Sequence, residues 1–297
     1  MEDIFHWSAE KQNEAFRGAT GGGDGVHVLT GPIYVEDAEP GDMIAVEIMD
    51  LYPRLNPDGK TYGSNAAAWW GFQARFPMAD GSAFASGTFS GTPGENDEVI
   101  TIYELTEENG QSYAVPLYQF EWPVMTDPEG TTRDFIAYPG TCVPHDPHGS
   151  TEFVSPDVLD MGWTKAEEIT YYDDVFRAKI PVFMHVGCMG LAPSSRSAVD
   201  SIPPMVTGGN LDNRRIGTGI TMYYPVEVAG GLLSMGDAHA AQGDSELDGT
   251  GIETSITGKF KISLIKAADF DEAMKIQNFP LGETEDEYIV HVSHSQA

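Results

Sequence analysis

The sequence predicts a globular protein built mainly of short β-strands. Glycine occurs 33 times and proline 19 times in 297 residues, and both residue types interrupt regular structure and form turns. The hydrophobic content is 41%, with 14 Phe, 12 Tyr and 5 Trp, which is enough apolar surface for a packed core. The length fits one large β-rich domain or two smaller ones.

Apolar and β-branched runs bounded by turn residues predict the individual strands. The first is residues 26–36, with a turn at Gly31-Pro32. A second turn follows at Pro40-Gly41, where proline presets φ and glycine supplies the positive φ. The helical spacing of residues 161–173 predicts a helix there. Further strands are predicted at residues 43–51, 99–104, 119–123, 226–235 and 256–266, and at residues 179–193 as a buried strand ending in a glycine turn.

The charge is strongly acidic. The chain has 46 Asp and Glu against 16 Lys and Arg, a formal net charge of -30. This argues against nucleic acid and anionic membranes as partners, because both require a basic surface. The acidic residues are spread along the chain and do not form a tail, which suggests a salt-adapted protein in which salt screens the self-repulsion.

Cysteine content and hydropathy place the protein in the cytoplasm by default. Cys142 and Cys188 are the only cysteines, too few for a disulfide framework. The opening residues M-E-D-I-F-H-W have neither the basic nor the apolar region of a signal peptide. The sequence has no apolar run long enough to span a membrane.

Residues 234–253 combine Asp, His, Gln and Glu between glycines more densely than any other stretch. They follow the predicted strand 226–235, which we expect to end at Gly236. Asp237 and His239 are two residues apart, so in an extended chain their side chains leave the same face. The same argument applies to Asp244 and Glu246.

A cluster with this composition favours a divalent metal site. Gly243 lies between the Asp237–His239 pair and the Asp244–Glu246 pair and permits a reversal that would turn one pair toward the other. Histidine and carboxylates on two adjacent segments suit a divalent metal, zinc above all. They suit metal-free acid–base chemistry as well, and a solvated polar hairpin end remains the alternative without function.

Four further positions are candidates with an ordinary structural alternative. His27 and His185 lie in predicted strands, where a histidine is commonly a hydrogen-bonded core residue. Cys188 is either a nucleophile near His185 or a small buried hydrophobic residue. The Gly208–Asp212 stretch is either a polar site for an amide or oxyanion or an ordinary turn.

Several stretches together resemble the acetamidase/formamidase family over residues 5–266, in the family's order. They include V-H-V-L-T-G-P-I-Y-V-E-D-A-E-P-G-D-M, G-G-N-L-D-N-R-R-I-G-T-G and G-D-A-H-A-A-Q-G-D-S-E-L-D-G-T-G-I-E, with G-S-N-A-A-A-W-W-G-F, H-V-G-C-M-G-L-A-P and S-I-P-P. The resemblance implies hydrolysis of a short aliphatic amide to a carboxylic acid and ammonia. It implies an α+β, mainly β fold with a β-sandwich-like part and a smaller mixed α/β part, usually in an oligomer.

The family motifs fall on named positions of this chain. The family's G-D-x-H-x-x-Q-G-D-x-E and G-G-N-x-D correspond to Gly236, Asp237, His239, Gln242, Gly243, Asp244 and Glu246, and to Gly208, Gly209, Asn210 and Asp212. Asp248 stands where many relatives have cysteine, which argues against that cysteine as a required nucleophile. We expect residues 1–297 to form a single catalytic unit that is short at both ends relative to the family.

These observations lead to the hypothesis that the protein is a metal-assisted amidohydrolase. Asp237 and His239 are the expected metal ligands, with His185 or Asp244 completing the set, and zinc is the expected ion. Glu246 is the expected proton-transfer group. The expected catalytic residues are Glu246, Asp244 and His185, and the expected substrate-binding residues are Asn210, Asp212, Gln242 and His27.

Two other functions compete with this hypothesis. One is a metal-free amidase with Cys188 as the nucleophile. The other is a non-catalytic β protein that binds a small amide or a metal. The expected partners are a small amide substrate and further copies of the same chain in a homo-oligomer.

The charge yields a stability prediction. The melting temperature should rise as NaCl increases from low concentration toward about 1 M, because the screening length shortens to about 3 Å and weakens repulsion between carboxylates. Differential scanning fluorimetry measures this. Sodium chloride is preferred to sulfate, since sulfate stabilises most folded proteins by exclusion from their surface. A melting temperature that falls with added NaCl would contradict salt adaptation.

Overall fold

The computed structural model confirms the predicted mainly β class. It describes residues 27, 29–55, 59–67, 99–121, 125–126, 132–133, 169–171, 178–194, 204–246, 249–271, 274–276 and 278–291. Helical structure in these ranges consists of three one-turn 3₁₀ helices at Asp244–Glu246, Ala267–Asp269 and Met274–Ile276. Among the described residues, no helix has the length and apolarity needed to cross a membrane.

The described residues form the following strands. They are β1 (Leu29–Ile33), β2 (Met43–Pro53), β3 (Thr61–Ala67), β4 (Val99–Glu108), β5 (Gln111–Glu121), β6 (Met125–Thr126), β7 (Thr132–Arg133), β8 (Ile169–Tyr171), β9 (Ile180–Pro181), β10 (His185–Gly190), β11 (Gly208–Asn210), β12 (Thr221–Pro225), β13 (Leu233–Ala241), β14 (Ile252–Thr254), β15 (Ile256–Ile265), β16 (Leu281–Glu283) and β17 (Tyr288–Val290).

The chain folds into two compact units. Unit 1 comprises Met1–Ala19, Pro53–Phe183 and His239–Ser255. Unit 2 comprises Thr20–Tyr52, Met184–Ala238 and Ile256–Ala297. The boundary falls within β13, so the first part of this strand belongs to unit 2 and its last three residues, 239–241, to unit 1.

Unit 2 contains the sandwich-like part. Its five-stranded sheet has the order β15-β2-β12-β16-β17, and β1 with β13 and β10 with β11 form further antiparallel pairs. Side chains from both sets of strands pack into one apolar core. Its buried members are Ala38, Ile44, Val46, Ile48, Leu51, Val186, Met189, Leu191, Ile216, Ile220, Met222, Tyr224, Val226, Leu233 and Met235. Truncating a large one to alanine is expected to cost about 2–5 kcal/mol.

The predicted strand at residues 256–266 is confirmed as β15. Its burial alternates along the first half, with Ile256 and Phe260 packed toward the core and Lys259 and Lys261 exposed. This is the period of two expected for a strand with one buried face.

Unit 1 is an antiparallel arrangement with the order β14-β3-β4-β5-β8, and β9 pairs with β5. β6 and β7 form a separate two-stranded pair. The β4–β5 hairpin turns at Asn109 and Gly110, with φ of 54° and 79°. Positive φ at both central residues is the type I′ geometry that asparagine–glycine favours. The two strands therefore extend to this turn, beyond the predicted limits at residues 104 and 119.

Three other local predictions need correction. Residues 169–171 form β8, so the predicted helix over 161–173 is wrong there. Its remaining residues lie outside the described ones. Gly31-Pro32 is a cis peptide bond inside β1, and no turn separates the strand there. β13 begins at Leu233 and continues through Gly236, which pairs with Leu29 of β1. Strand pairing thus overrides the glycine that was expected to end the strand.

The Pro40-Gly41 turn is confirmed, and it positions a buried carboxylate. Gly41 has φ of 98°. The next residue, Asp42, is 5% exposed and its carboxylate accepts hydrogen bonds from Lys266 Nζ at 2.6 Å, from Ala267 N at 2.9 Å and from Glu39 N at 2.9 Å. Burial raises the pKa of Asp42, but these donors, led by Lys266, outweigh burial and hold that pKa below its usual value.

Asp42→Asn should lower the free energy of unfolding at pH 7 by about 1–3 kcal/mol, because buried donors lose their charged acceptor. The lowered pKa means that the wild-type contribution is complete above the unfolded-state pKa, near 3.8, and is lost as pH falls through the folded-state pKa. Urea melts from pH 3 to pH 7 should therefore show a smaller difference between wild type and variant at the acid end. Asp50→Asn, on the exposed side of β2, is the control, and equal losses in both variants would contradict the assignment.

Candidate functional site

One candidate cluster lies within unit 1 and is centred on His239. This residue is 0% exposed and lies directly opposite Glu253, where β13 pairs with β14. Directly opposite residues of an antiparallel pair bring their side chains together. His239 Nε2 lies 3.1 Å from Glu253 Oε2 and 3.5 Å from Glu246 Oε1. A buried imidazole nitrogen therefore faces two carboxylates within the same unit.

The other ring nitrogen is fixed by Gln242. His239 Nδ1 lies 2.7 Å from Gln242 Oε1, and an amide oxygen only accepts hydrogen bonds, so Nδ1 carries the proton. Nε2 is then the nitrogen directed at the carboxylates. Two arrangements balance the charge: an imidazolium paired with the carboxylates, or a neutral ring whose Nε2 and the carboxylates bind a cation. Both Glu253 and Glu246 occur with His239 in side-chain groups able to hold a metal ion.

Glu246 reaches His239 from a turn, and the strand geometry predicted for it is wrong. Residues 244–246 form a 3₁₀ turn, closed by Glu246 N donating to Gly243 O at 3.3 Å. At three residues per turn, positions two apart do not share a face. Accordingly, Asp244 is exposed while the Glu246 side chain is 12% exposed. Glu246 also has φ of 43°, a left-handed conformation that is uncommon outside glycine.

Glu253 is a candidate site residue that the sequence analysis did not select. It is 6% exposed, and its second oxygen, Oε1, accepts a hydrogen bond from Gly251 N at 3.1 Å. A buried carboxylate with two partners is costly to place and is rarely incidental. The only sequence signal is its position at the end of G-T-G-I-E, inside the family motif; the register that sets it opposite His239 is a long-range property.

A second candidate cluster lies within unit 2 and places two carboxylates around Gly187. A Cβ at Gly187 would lie 2.4 Å from Asp237 Oδ2 and 2.8 Å from Asp212 Oδ1, so only glycine leaves room for both. Asp212 N also donates to Gly187 O at 3.0 Å. His27 Nε2 lies 3.6 Å from Asp237 Oδ2. Unit 2 thereby brings together three of the predicted residues, namely His27, Asp212 and Asp237.

β10 carries the remaining unit 2 candidates. His185 is 0% exposed and Cys188 is 2% exposed, and Cys188 lies opposite Asn210 in the β10–β11 pair. Burial raises the pKa of the Cys188 thiol well above its usual value, and the neighbouring carboxylates of Asp237 and Asp212 raise it further. The thiolate is the nucleophilic form, so this environment opposes a nucleophilic role.

The comparison with known proteins assigns the family. The model of the acetamidase/formamidase family matches residues 23–295. The chain therefore belongs to the acetamidase/formamidase family, as its motifs predict.

Two named proteins are similar in sequence to most of this chain. It is 29% identical over 232 residues to an acetamidase of Mycolicibacterium smegmatis, covering 75% of this chain and 49% of that protein. It is 30% identical over 261 residues to a formamidase of Methylophilus methylotrophus, covering 81% of this chain and 52% of that protein. The chain thus spans about half the length of these relatives.

Solved structures support the fold. An acetamidase from Bacillus halodurans gives a TM-score of 0.51 at 22% identity, covering 86% of this chain and 56% of that one. A gamma lactamase from Delftia acidovorans gives a TM-score of 0.51 at 17% identity, covering 92% of this chain and 59% of that one. At these identities the likeness concerns the mainly β fold.

The environment of Cys188 gives a prediction about reactivity. Cys188→Ala should keep any amide-hydrolysing activity within a few-fold of wild type, because a buried thiol with a raised pKa supplies almost no thiolate. Native Cys188 should also resist iodoacetamide and react after unfolding, which mass spectrometry of peptides reads separately from Cys142. An inactive Cys188→Ala variant with an unchanged melting curve, or rapid native alkylation that abolishes activity, would restore the nucleophile hypothesis.

Proposed function

We propose that this chain hydrolyses short aliphatic amides of the formamide and acetamide class to a carboxylate and ammonia. Membership in the acetamidase/formamidase family supports the reaction class. The observation that carries the proposal is the buried Nε2 of His239, placed within 3.5 Å of Glu246 and 3.1 Å of Glu253. Amide hydrolysis needs groups that take a proton from water and return one to the leaving nitrogen, and this cluster supplies them.

The chemistry divides between the two glutamates. Glu246 is the more accessible, with 12% of its side chain exposed against 7% for Glu253. We assign Glu246 to accepting a proton from the attacking water and passing it to the departing ammonia. Glu253, fixed by Gly251 N, holds His239 in place. Gln242, predicted as a substrate contact, has its Oε1 engaged by His239, and we assign it to orienting the ring.

The residues around His239 fit a divalent cation, for which zinc is our proposal. Zinc takes nitrogen and carboxylate ligands, and His239 Nε2 with the Glu253 carboxylate offers both. When bound, zinc polarises a carbonyl and lowers the pKa of its water to about 7. The predicted ligand pair of Asp237 and His239, completed by His185 or Asp244, remains part of the proposal.

We propose that Asn210, Asp212 and His27 contact the amide, as the sequence predicts. An amide presents one carbonyl acceptor and an NH₂ donor, so it requires partners of both kinds. Asn210 offers an amide side chain, while Asp212 and His27 offer an acceptor and a ring nitrogen. We further propose that the active form is a homo-oligomer.

Ammonia release tests the proposal directly. The purified chain is incubated with formamide, acetamide and propionamide, before and after exhaustive chelation and again after added Zn²⁺. Ammonia release that chelation abolishes and Zn²⁺ restores would support both the reaction and the metal. Release unaffected by chelation would remove the metal and keep the reaction. Calorimetric binding of acetamide with no ammonia would favour a non-catalytic binding protein.

Glu246→Gln should lower kcat by about 10²–10⁴-fold, the usual contribution of a general base, while the melting curve stays close to that of wild type. The change is isosteric and removes only the proton-accepting carboxylate. Glu107→Gln, at an exposed position of β4 in the same unit, is the matched control and should leave kcat unchanged. Activity of Glu246→Gln within about tenfold of wild type would contradict the role.

A further inference from the structure

Residues 250–251 contact both His239 and Glu253. Gly251 N donates to Glu253 Oε1 at 3.1 Å. A Cβ on Gly251 would lie 3.3 Å from His239 Cγ and 2.9 Å from Ala241 O, so the glycine backbone packs directly against the histidine ring. The same two-residue segment therefore sets the position of both partners.

This segment is in turn held by Asn65 of β3. Asn65 Nδ2 lies 2.8 Å from Thr250 Oγ1, 2.9 Å from Gly251 O and 3.3 Å from Thr250 O. The two amide hydrogens thus have three acceptors, all on residues 250–251. The contact joins residues 185 and 186 positions apart in the sequence, and it lies entirely within unit 1.

The β3–β14 register places this contact next to the glutamate. Ser64 lies opposite Glu253 and Gly63 opposite Thr254, so Asn65 is the next residue of β3 after the one facing Glu253. Thr254 Oγ1 also donates to Tyr62 O at 2.7 Å. Thr254 therefore binds β14 to β3 on the C-terminal side of Glu253. Asn65 binds residues 250–251 on its N-terminal side.

We propose that Asn65 is a positioning residue for the hydrolytic site, acting through Gly251 on Glu253 and His239. The inference rests on the proposed function, because it assigns Asn65 a part in that reaction. The action of Asn65 is indirect: its side-chain amide fixes the backbone that binds Glu253 and packs on His239. Mutating a residue that orients a functional side chain commonly lowers activity or metal affinity about 10–100-fold.

Asn65→Ala should lower kcat about 10–100-fold with KM changed much less, since the amide contacts are assigned to other residues. The matched control is Thr61→Val in the same strand. It removes a buried side-chain hydrogen bond of similar kind, from Thr61 Oγ1 to Leu105 O at 3.2 Å, away from residues 250–251, and should leave kcat unchanged. Comparable losses of kcat in both variants would mean that Asn65 only stabilises its strand, and would overturn the proposal.

A double-mutant cycle separates positioning from general destabilisation. If Asn65 acts through Glu253, the Asn65→Ala/Glu253→Gln enzyme should be no slower than Glu253→Gln alone within about twofold, because the two changes remove one shared function. Multiplying effects would overturn the proposal. Gly251→Ala should reproduce the loss in kcat, because an added Cβ there would lie 3.3 Å from His239 Cγ.

Hydrogen exchange gives a readout that does not need activity. In Asn65→Ala, the peptide containing Gly251 should exchange faster, because the amide that donates to Glu253 loses its fixed position; Thr61→Val should leave this peptide unchanged. Unchanged exchange in Asn65→Ala would overturn the inference. If the wild-type protein releases no ammonia, the proposed function fails, and the exchange data alone decide whether Asn65 holds this segment.

Discussion

The stability of unit 1 depends on the partners of a fully buried histidine that lies beside two carboxylates. Burying charged groups is costly unless each is paired or hydrogen-bonded. His239 meets this requirement through Gln242 on one ring nitrogen and through Glu253 and Glu246 on the other side. Because three elements supply these partners, the pairing of β13 with β14 and the 3₁₀ turn after β13 must form together for the cluster to be stable.

Several candidate site residues have a strained backbone conformation. Six described non-glycine residues have positive φ, and three of them are Asp212, Asp237 and Glu246. Each such conformation costs on the order of 1–3 kcal/mol and persists where surrounding contacts impose it. Asn109, by contrast, occupies a hairpin turn that favours positive φ. Glu246 adopts positive φ at the end of a 3₁₀ turn. Asp237 adopts it inside β13, where no turn accounts for it.

The sequence revealed those features that depend on local chemistry. β15 follows from its alternation, and the Pro40-Gly41 turn follows from the conformational preferences of both residues. The asparagine–glycine hairpin at residue 109 rests on equally local chemistry, although it was not predicted. Long-range features were not accessible: β13 runs through Gly236 because β1 pairs with it, and Glu253 joins the candidate site because β14 sets it opposite His239.

The candidate site shows the same division. The motif predicted that His239, Gln242 and Glu246 act together, and unit 1 does join them. Its spacing argument placed Asp244 with Glu246, which requires an extended chain, whereas the short connection between β13 and β14 forms a 3₁₀ turn. Asn65 lies in the family stretch G-S-N-A-A-A-W-W-G-F, but the role proposed for it does not follow from that stretch. The role arises from three acceptors on a segment far away in the sequence.

The acidic surface bears on which ligands the proposed site can use. A formal net charge of -30 repels anions and attracts cations over roughly a screening length. A small neutral amide is neither attracted nor repelled by this field, so its binding depends on local contacts alone. The products differ: a carboxylate is driven outward, while ammonium, if formed, is retained near the surface. This charge distribution therefore does not hinder the binding of a neutral amide and favours release of its carboxylate product.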